Sequence, residues 1–94
     1  MSRLDEIRNE LDEIDREIVA LFEKRMELAR SVAEYKLANG MPVLDRSREA
    51  AVLASRAAML KDAYWSGNVC ALYETIMAQS RSEQEKCIRE AQMK

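Results

Sequence analysis

Residues 4–42 read LDEIRNELDEIDREIVALFEKRMELARSVAEYKLANGMP, and this stretch decides the fold. Up to residue 38 it contains no Gly and no Pro, and apolar side chains recur at alternating spacings of three and four residues, which is typical of a helix with one apolar face. The apolar positions are Leu4, Ile7, Leu11, Ile14, Ile18, Leu21, Leu28 and Val32. Asn39 and Gly40 form the usual left-handed cap of a helix C-terminus, and Pro42 cannot continue the helix. The stretch therefore predicts a first helix over about residues 3–38.

This predicted helix is too long for a compact chain of its size. At about 1.5 Å per residue it extends for roughly 54 Å. A compact chain of 94 residues has a diameter of only about 32 Å. We therefore expect the apolar face of the helix to pack against another chain.

The rest of the chain predicts two more helices. Asp45 or Ser47 can cap a second helix that runs to about residue 64, and Ser66-Gly67-Asn68 breaks the pattern before a third helix over about 67–91. The composition agrees, because 48% of the residues are apolar, 34% are charged, and there are only two Gly and one Pro. We predict an all-α chain, folded as a single domain over residues 1–94.

Several functional classes do not fit this composition. The net charge of −2, with basic and acidic residues interspersed, gives no basic surface for nucleic acid. No apolar run approaches the roughly 20 residues that span a bilayer, and the N-terminus lacks the apolar core of a signal peptide, so we expect a cytoplasmic protein. Without His or clustered Cys a metal site has almost no ligands. We predict no metal and no cofactor.

Polar residues interrupt the apolar face of every predicted helix: Arg25 on the first, Glu49 on the second, and Ser80 and Gln84 on the third. Each has a structural explanation when taken alone. An Arg on such a face can set helix register or extend its charge to solvent, and Ser or Gln can form interhelical hydrogen bonds. Because unpaired buried polar groups cost several kcal/mol, their recurrence on three helices that must pack together predicts a polar pocket inside a helical bundle.

The spacing of the basic residues on the first helix defines which of them can share this pocket. Arg25 and Lys36 are 11 residues apart, or about three turns, so they project from nearly the same face and their long side chains can converge. Arg8 lies 17 residues before Arg25, about 25 Å away on the same helix. If Arg8 contributes to the site, it must come from another chain.

Taken together, these motifs resemble the all-α chorismate mutases, a class that forms an intertwined dimer of three-helix chains. The first helix contains EIRNELDEIDREIVALFEKRMELARSVAEYK, the corner after it contains PVLDRSRE, and the third helix contains SRSEQ. The resemblance covers about residues 4–90. It implies an intertwined homodimeric helical bundle with sites shared between chains. The segment DAYWSGNVC differs from the usual loop of the family at the second break.

The resemblance also implies a reaction, the Claisen rearrangement of chorismate to prephenate in phenylalanine and tyrosine biosynthesis. Chorismate carries two carboxylates, an ether oxygen and a ring hydroxyl. By resemblance, Arg25 and Arg8 of the partner subunit bind the carboxylates, and Ser80 assists. Lys36 and Gln84 are the family's donors to the ether oxygen, where negative charge develops as the carbon–oxygen bond breaks.

The corner between the first two helices supplies the remaining predicted contacts. Glu49, together with the backbone near Asp45, is expected to accept a hydrogen bond from the ring hydroxyl. Arg48 is expected to orient Glu49 and to form part of the pocket wall. Such a mechanism involves no nucleophile, no general base and no covalent intermediate.

Two other functions are consistent with parts of the sequence. A non-catalytic helical dimerisation module could use the heptads alone, with the polar residues setting register. It would not bind chorismate. An isochorismate-pyruvate lyase of the same fold would have a similar pocket but would release salicylate and pyruvate.

Overall fold

The computed structural model describes residues 2–93 and contains three α-helices. They are α1 (Arg3–Ala38), α2 (Arg46–Ala58) and α3 (Ser66–Gln92), with a short 3₁₀ helix at Ala63–Trp65 before α3. No strand occurs within the described residues. The predicted all-α class and the bounds of the first helix are confirmed. None of the described helices is long and apolar enough to cross a membrane.

Both ends of α1 are capped. At its start the Ser2 hydroxyl accepts a hydrogen bond from the Asp5 N–H, and the Asp5 carboxylate accepts one in return from the Ser2 N–H. At its end Gly40 takes a left-handed conformation with φ 63°. This conformation lets the Met41 N–H reach the Lys36 carbonyl at 2.8 Å, which closes the helix and reverses the chain.

The second helix is shorter than predicted, because it ends at Ala58 and not near residue 64. Asp62 has an extended backbone, and its side chain accepts a hydrogen bond from the Tyr64 N–H at 2.9 Å. This aspartate therefore caps a new 3₁₀ turn instead of continuing α2. The turn leads directly into α3, which begins at Ser66.

The helices pack only at one end of the molecule. The C-terminal half of α1 and one face of α2 contact α3, around a small core that consists of Ala29, Ala33, Val52, Met77 and Cys87. Every residue from 2 to 24 is exposed, including the apolar face of α1. The radius of gyration is 16.9 Å, against about 12 Å for a compact chain of this length. Half of α1 thus extends beyond the packed region.

An ion pair network on the surface aligns α1 with α3. The Arg30 guanidinium donates to Glu83 at 2.7 Å and to Glu90 at 3.3 Å. The hydrogen bond to Glu83, followed by that to Glu90, raises the pKa of Arg30 above its usual range. Because Arg30 is exposed, this network contributes more to the register of the two helices than to stability.

Candidate active site

A cavity of about 180 Å³ lies where the three helices meet. It is lined by seven of the eight site residues predicted from the sequence: Arg25, Lys36, Asp45, Arg48, Glu49, Ser80 and Gln84. Four basic and two acidic side chains line it in all, so the lining has an excess of two positive charges. A small dianion would balance that excess.

Arg8 is the one predicted site residue that does not line the cavity. It lies on the exposed N-terminal half of α1, where no other helix of the described residues 2–93 is packed. The helical separation of about 25 Å from Arg25 keeps it out of this cavity within one chain.

Lys36 is placed by the turn that ends α1. Its Nζ donates to the Val43 carbonyl at 2.6 Å, which ties the lysine to the segment between α1 and α2. The side chain is partly buried and lines the cavity. The ammonium group keeps further N–H donors for a ligand, because it carries three in total.

Gln84 is the most buried polar residue of the site, with 5% of its surface exposed. Its Nε2 donates to the Ser80 Oγ at 3.1 Å, whereas its Oε1 is buried without a hydrogen-bond partner within residues 2–93. Leaving such a group unpaired costs about 1–3 kcal/mol. A rotation of the amide by 180° would let the Ser80 hydroxyl donate to Oε1 and would free the NH₂ group for a ligand.

Asp45 and Glu49 have different roles in the first turn of α2. The Asp45 carboxylate accepts a hydrogen bond from the Arg48 N–H at 2.9 Å and caps the helix. Glu49 is partly buried, and both of its carboxylate oxygens lie 2.5 Å from Nη1 of Arg81. The ion pair joins α2 to α3 across the cavity wall.

This ion pair involves an arginine to which the sequence analysis assigned no role. Arg48 was expected to orient Glu49, but it is Arg81 that contacts the carboxylate. Arg48 does line the cavity, as predicted for part of the wall. The sequence contained a signal for Arg81 that was missed, because it lies three residues before Gln84 and therefore on the same side of α3.

Arg25 is oriented by an aromatic side chain. Its guanidinium carbon lies 5.9 Å from the centre of the Tyr73 ring, and that of Arg56 lies 5.7 Å from the same ring. Attraction between a cation and a ring at such distances is about 0.5–1 kcal/mol at exposed sites. Tyr73 on α3 thus helps to fix the position of Arg25.

Apolar side chains complete the wall of the cavity. They are Val32, Val43, Val52 and Met77. A lining of this kind fits the carbon skeleton of a small ligand, and the polar groups set its orientation. Fold and cavity together define an all-helical protein whose cavity suits a small anionic molecule.

Comparison with known proteins gives the family. Residues 7–85 match the sequence profile of the type II chorismate mutases. The chain is also 30% identical over 95 residues to a chorismate mutase of Methanocaldococcus jannaschii, an alignment that covers 100% of this chain and 96% of the relative. The chain therefore belongs to the chorismate mutase type II family, whose reaction is an isomerisation. The family predicted from the sequence is confirmed.

Two further relatives match over a shorter part of the sequence, and one solved structure matches by its fold. The T-protein of Haemophilus influenzae is 41% identical and that of Enterobacter agglomerans 38% identical, each over 56 residues that cover 60% of this chain. The chain spans only 15% of the length of these two relatives. A solved structure of a conserved hypothetical protein from Pyrococcus furiosus matches with a TM-score of 0.74 and 32% identity, over 89% of this chain and 97% of that one.

Proposed function

We propose that this chain is a chorismate mutase that converts chorismate to prephenate. The single observation that carries the proposal is the cavity at the helix junction, whose lining has an excess of two positive charges. Chorismate is a dianion, and its size and ring suit a small cavity with partly apolar walls. Membership of the type II family supports the same reaction.

Two arginines hold the carboxylates in this proposal. Arg25 lines the cavity and has a planar guanidinium group that can bind a carboxylate through two hydrogen bonds. Arg8 of the partner subunit supplies the second guanidinium, and the Ser80 hydroxyl assists. Binding both carboxylates holds the enolpyruvyl arm over the ring, so the two carbons that must bond are close before reaction.

Lys36 and Gln84 act on the ether oxygen. The rearrangement breaks one carbon–oxygen bond and forms one carbon–carbon bond within the same molecule, with no atom gained or lost. Negative charge develops on the ether oxygen if the first bond lengthens ahead of the second. Donors at that oxygen therefore stabilise the transition state more than the bound substrate. The NH₂ group of Gln84, once rotation of the amide lets Oε1 accept from the Ser80 hydroxyl, and the spare N–H groups of Lys36 are suited to this role.

The corner between α1 and α2 binds the ring hydroxyl. Glu49 accepts a hydrogen bond from it, together with the backbone near Asp45. Arg48 completes the wall beside them and adds positive charge for the dianion.

A second copy of the chain completes the site. The exposed apolar face of α1 needs a covering surface, and an equivalent α1 in an antiparallel arrangement brings Arg8 of one chain to the Arg25 end of the other. We therefore propose an intertwined homodimer with two shared sites. The predicted cytoplasmic location and the single-domain organisation over residues 1–94 stay predictions.

One assay tests this function. Purified protein is incubated with chorismate and, separately, with isochorismate, and the products are identified by chromatography. We expect prephenate from chorismate and no salicylate or pyruvate from isochorismate. Salicylate and pyruvate as the main products would instead identify a lyase. If neither compound is converted and a bicyclic transition-state analogue does not bind, the result would instead favour a non-catalytic dimerisation module.

A further inference from the structure

Arg81 forms an ion pair with Glu49 but has no role of its own in the reaction proposed above. Arg81 is on α3 and Glu49 on α2, and both side chains line the cavity. Their side chains are 30% and 25% exposed, so the pair is largely shielded by the surrounding helices. It is the only ion pair of a cavity-lining residue within residues 2–93.

The pairing separates Arg81 from the other cations of the site. Arg25, Lys36 and Arg48 form no ion pair with a carboxylate in the described part of the chain, so their charges are available to an anionic ligand. The charge of Arg81 is already compensated by Glu49. Moving it onto a ligand would leave a partly buried carboxylate without its cation, which is costly.

Glu49 gains a fixed position from this contact. A glutamate side chain has several rotatable bonds, so ordering it costs rotamer entropy. Contact of both carboxylate oxygens with one Arg81 nitrogen restricts those rotations before any ligand arrives. Each oxygen can still accept another hydrogen bond, since an ionised carboxylate has about four acceptor positions.

We propose that Arg81 is a positioning residue that holds Glu49 ready to accept the ring hydroxyl of the substrate. Through Glu49 it gives the enzyme its preference for a ring that carries a free hydroxyl over one that lacks it. This inference rests on the proposed function, because it assigns Glu49 to the hydroxyl of chorismate.

The test measures kcat and KM for four proteins with two substrates. The proteins are the wild type, Arg81→Met, Glu49→Gln and the double variant. The substrates are chorismate and an analogue in which hydrogen replaces the ring hydroxyl. With chorismate, each single variant should lose about 10- to 100-fold in kcat/KM, the range of one hydrogen bond to a charged group.

The pattern across substrates identifies a positioning role. The single variants should differ from wild type by less than about threefold with the analogue, and the double variant should be no worse with chorismate than the poorer single variant. Arg81→Lys should recover part of the activity on chorismate, because it keeps the charge but has a more flexible side chain.

Arg30→Met is the matched control, since it breaks another ion pair between helices, the one with Glu83, outside the cavity. It should leave kcat/KM for both substrates unchanged, and circular dichroism should show all variants folded. If Arg81→Met fails to fold, the Arg81→Lys variant replaces it. Its kcat/KM should again fall with chorismate and not with the analogue, but by a smaller factor.

Three results would overturn the inference. Equal losses on both substrates would mean that Arg81 binds the substrate anion directly. Additive losses in the double variant would mean that Arg81 acts independently of Glu49, and unchanged kinetics of Arg81→Met would mean that Glu49 needs no support. In each case the wild type still forms prephenate, whereas a wild type that does not convert chorismate contradicts the proposed function itself.

Discussion

At the scale of the residue, Gln84 is a buried polar group that the fold alone does not explain. One of its two polar atoms is bonded to Ser80 and the other has no partner in the described chain. A side chain selected only for packing at that position would be apolar, because burial of an unpaired polar group is costly. Rotation of the amide removes that cost by pairing Oε1 with the Ser80 hydroxyl, and a ligand oxygen then accepts from the freed NH₂ group, which is the expected property of a residue that acts on substrate.

The variant Gln84→Glu tests this role through the pH dependence of activity. Wild-type activity should vary little through neutral pH, because an amide donates without titrating. An introduced carboxyl can donate only while protonated, and burial raises its pKa above the ordinary value of about 4.3. The variant should therefore be active below that raised pKa and lose activity as the pH increases through it.

A pH series of kcat/KM from about pH 4 to pH 9 measures the difference between the two profiles. The control is Gln79→Glu, the same substitution at an exposed position of the same helix, which should keep the wild-type profile. A flat profile for Gln84→Glu would show that this side chain does not face the reacting oxygen.

At the scale of the element, the sequence predicted what depends on local chemistry and missed what depends on contacts. The bounds of α1 followed from its periodicity and from Gly40, and the start of α2 followed from Asp45 as a cap. The end of α2 was missed because Asp62 acts as a cap only once the chain has left the helix, and no Gly or Pro marks that point. The pairing of Arg81 with Glu49 spans 32 residues and depends on how α2 packs against α3.

Seven of the eight predicted site residues could be placed in one cavity from periodicity and the family pattern together. Periodicity shows which residues share a face of one helix. It does not show which partner a charged side chain selects across two helices, so Arg48 and not Arg81 was assigned to Glu49. The assigned chemical roles themselves stay predictions.

Gly40 gives a prediction for the turn that positions Lys36. Its φ of 63° is strained for any residue with a Cβ, so Gly40→Ala should lower the free energy of unfolding by about 1–2 kcal/mol. Gly67 is helical, and its added Cβ would meet no atom within 4 Å. Gly67→Ala should therefore raise the free energy of unfolding by about 0.4–1 kcal/mol.

Urea unfolding followed by circular dichroism compares the three proteins at one protein concentration, because the stability of the proposed dimer would depend on concentration. Opposite shifts of the two midpoints are expected. Equal shifts of both variants would mean that the left-handed conformation of Gly40 contributes nothing to the end of α1.

At the scale of the whole molecule, the exposed half of α1 is the feature on which both the proposed dimer and its shared site depend. A chain with dimensions of 55 × 29 × 14 Å leaves large apolar side chains such as Ile14, Ile18 and Leu21 more than half exposed. Such a continuous face favours association over a monomer in water. The same half of the helix holds Arg8, the predicted site residue missing from the cavity.

Complementation between two damaged chains tests whether each site is shared. Arg8→Ala and Lys36→Ala should each be nearly inactive, because loss of one such contact typically lowers turnover about 10²- to 10³-fold. The two proteins are unfolded, mixed in equal amounts and refolded together. In a shared-site dimer, a mixed pair has one site with both substitutions and one site with neither. Random pairing makes about half of the dimers mixed, so roughly a quarter of the wild-type activity should return.

A matched mixture controls for effects of refolding. Arg25 and Lys36 line the cavity of the same chain, so a mixture of Arg25→Ala and Lys36→Ala leaves every site with one substitution and should recover nothing. Mass spectrometry confirms the mixed dimers in both samples. If the first mixture also recovers nothing, Arg8 does not serve the site of its partner. Recovery in the first mixture alone requires Arg8 and Lys36 of one site to come from different chains, since only that arrangement assembles an undamaged site from two damaged chains.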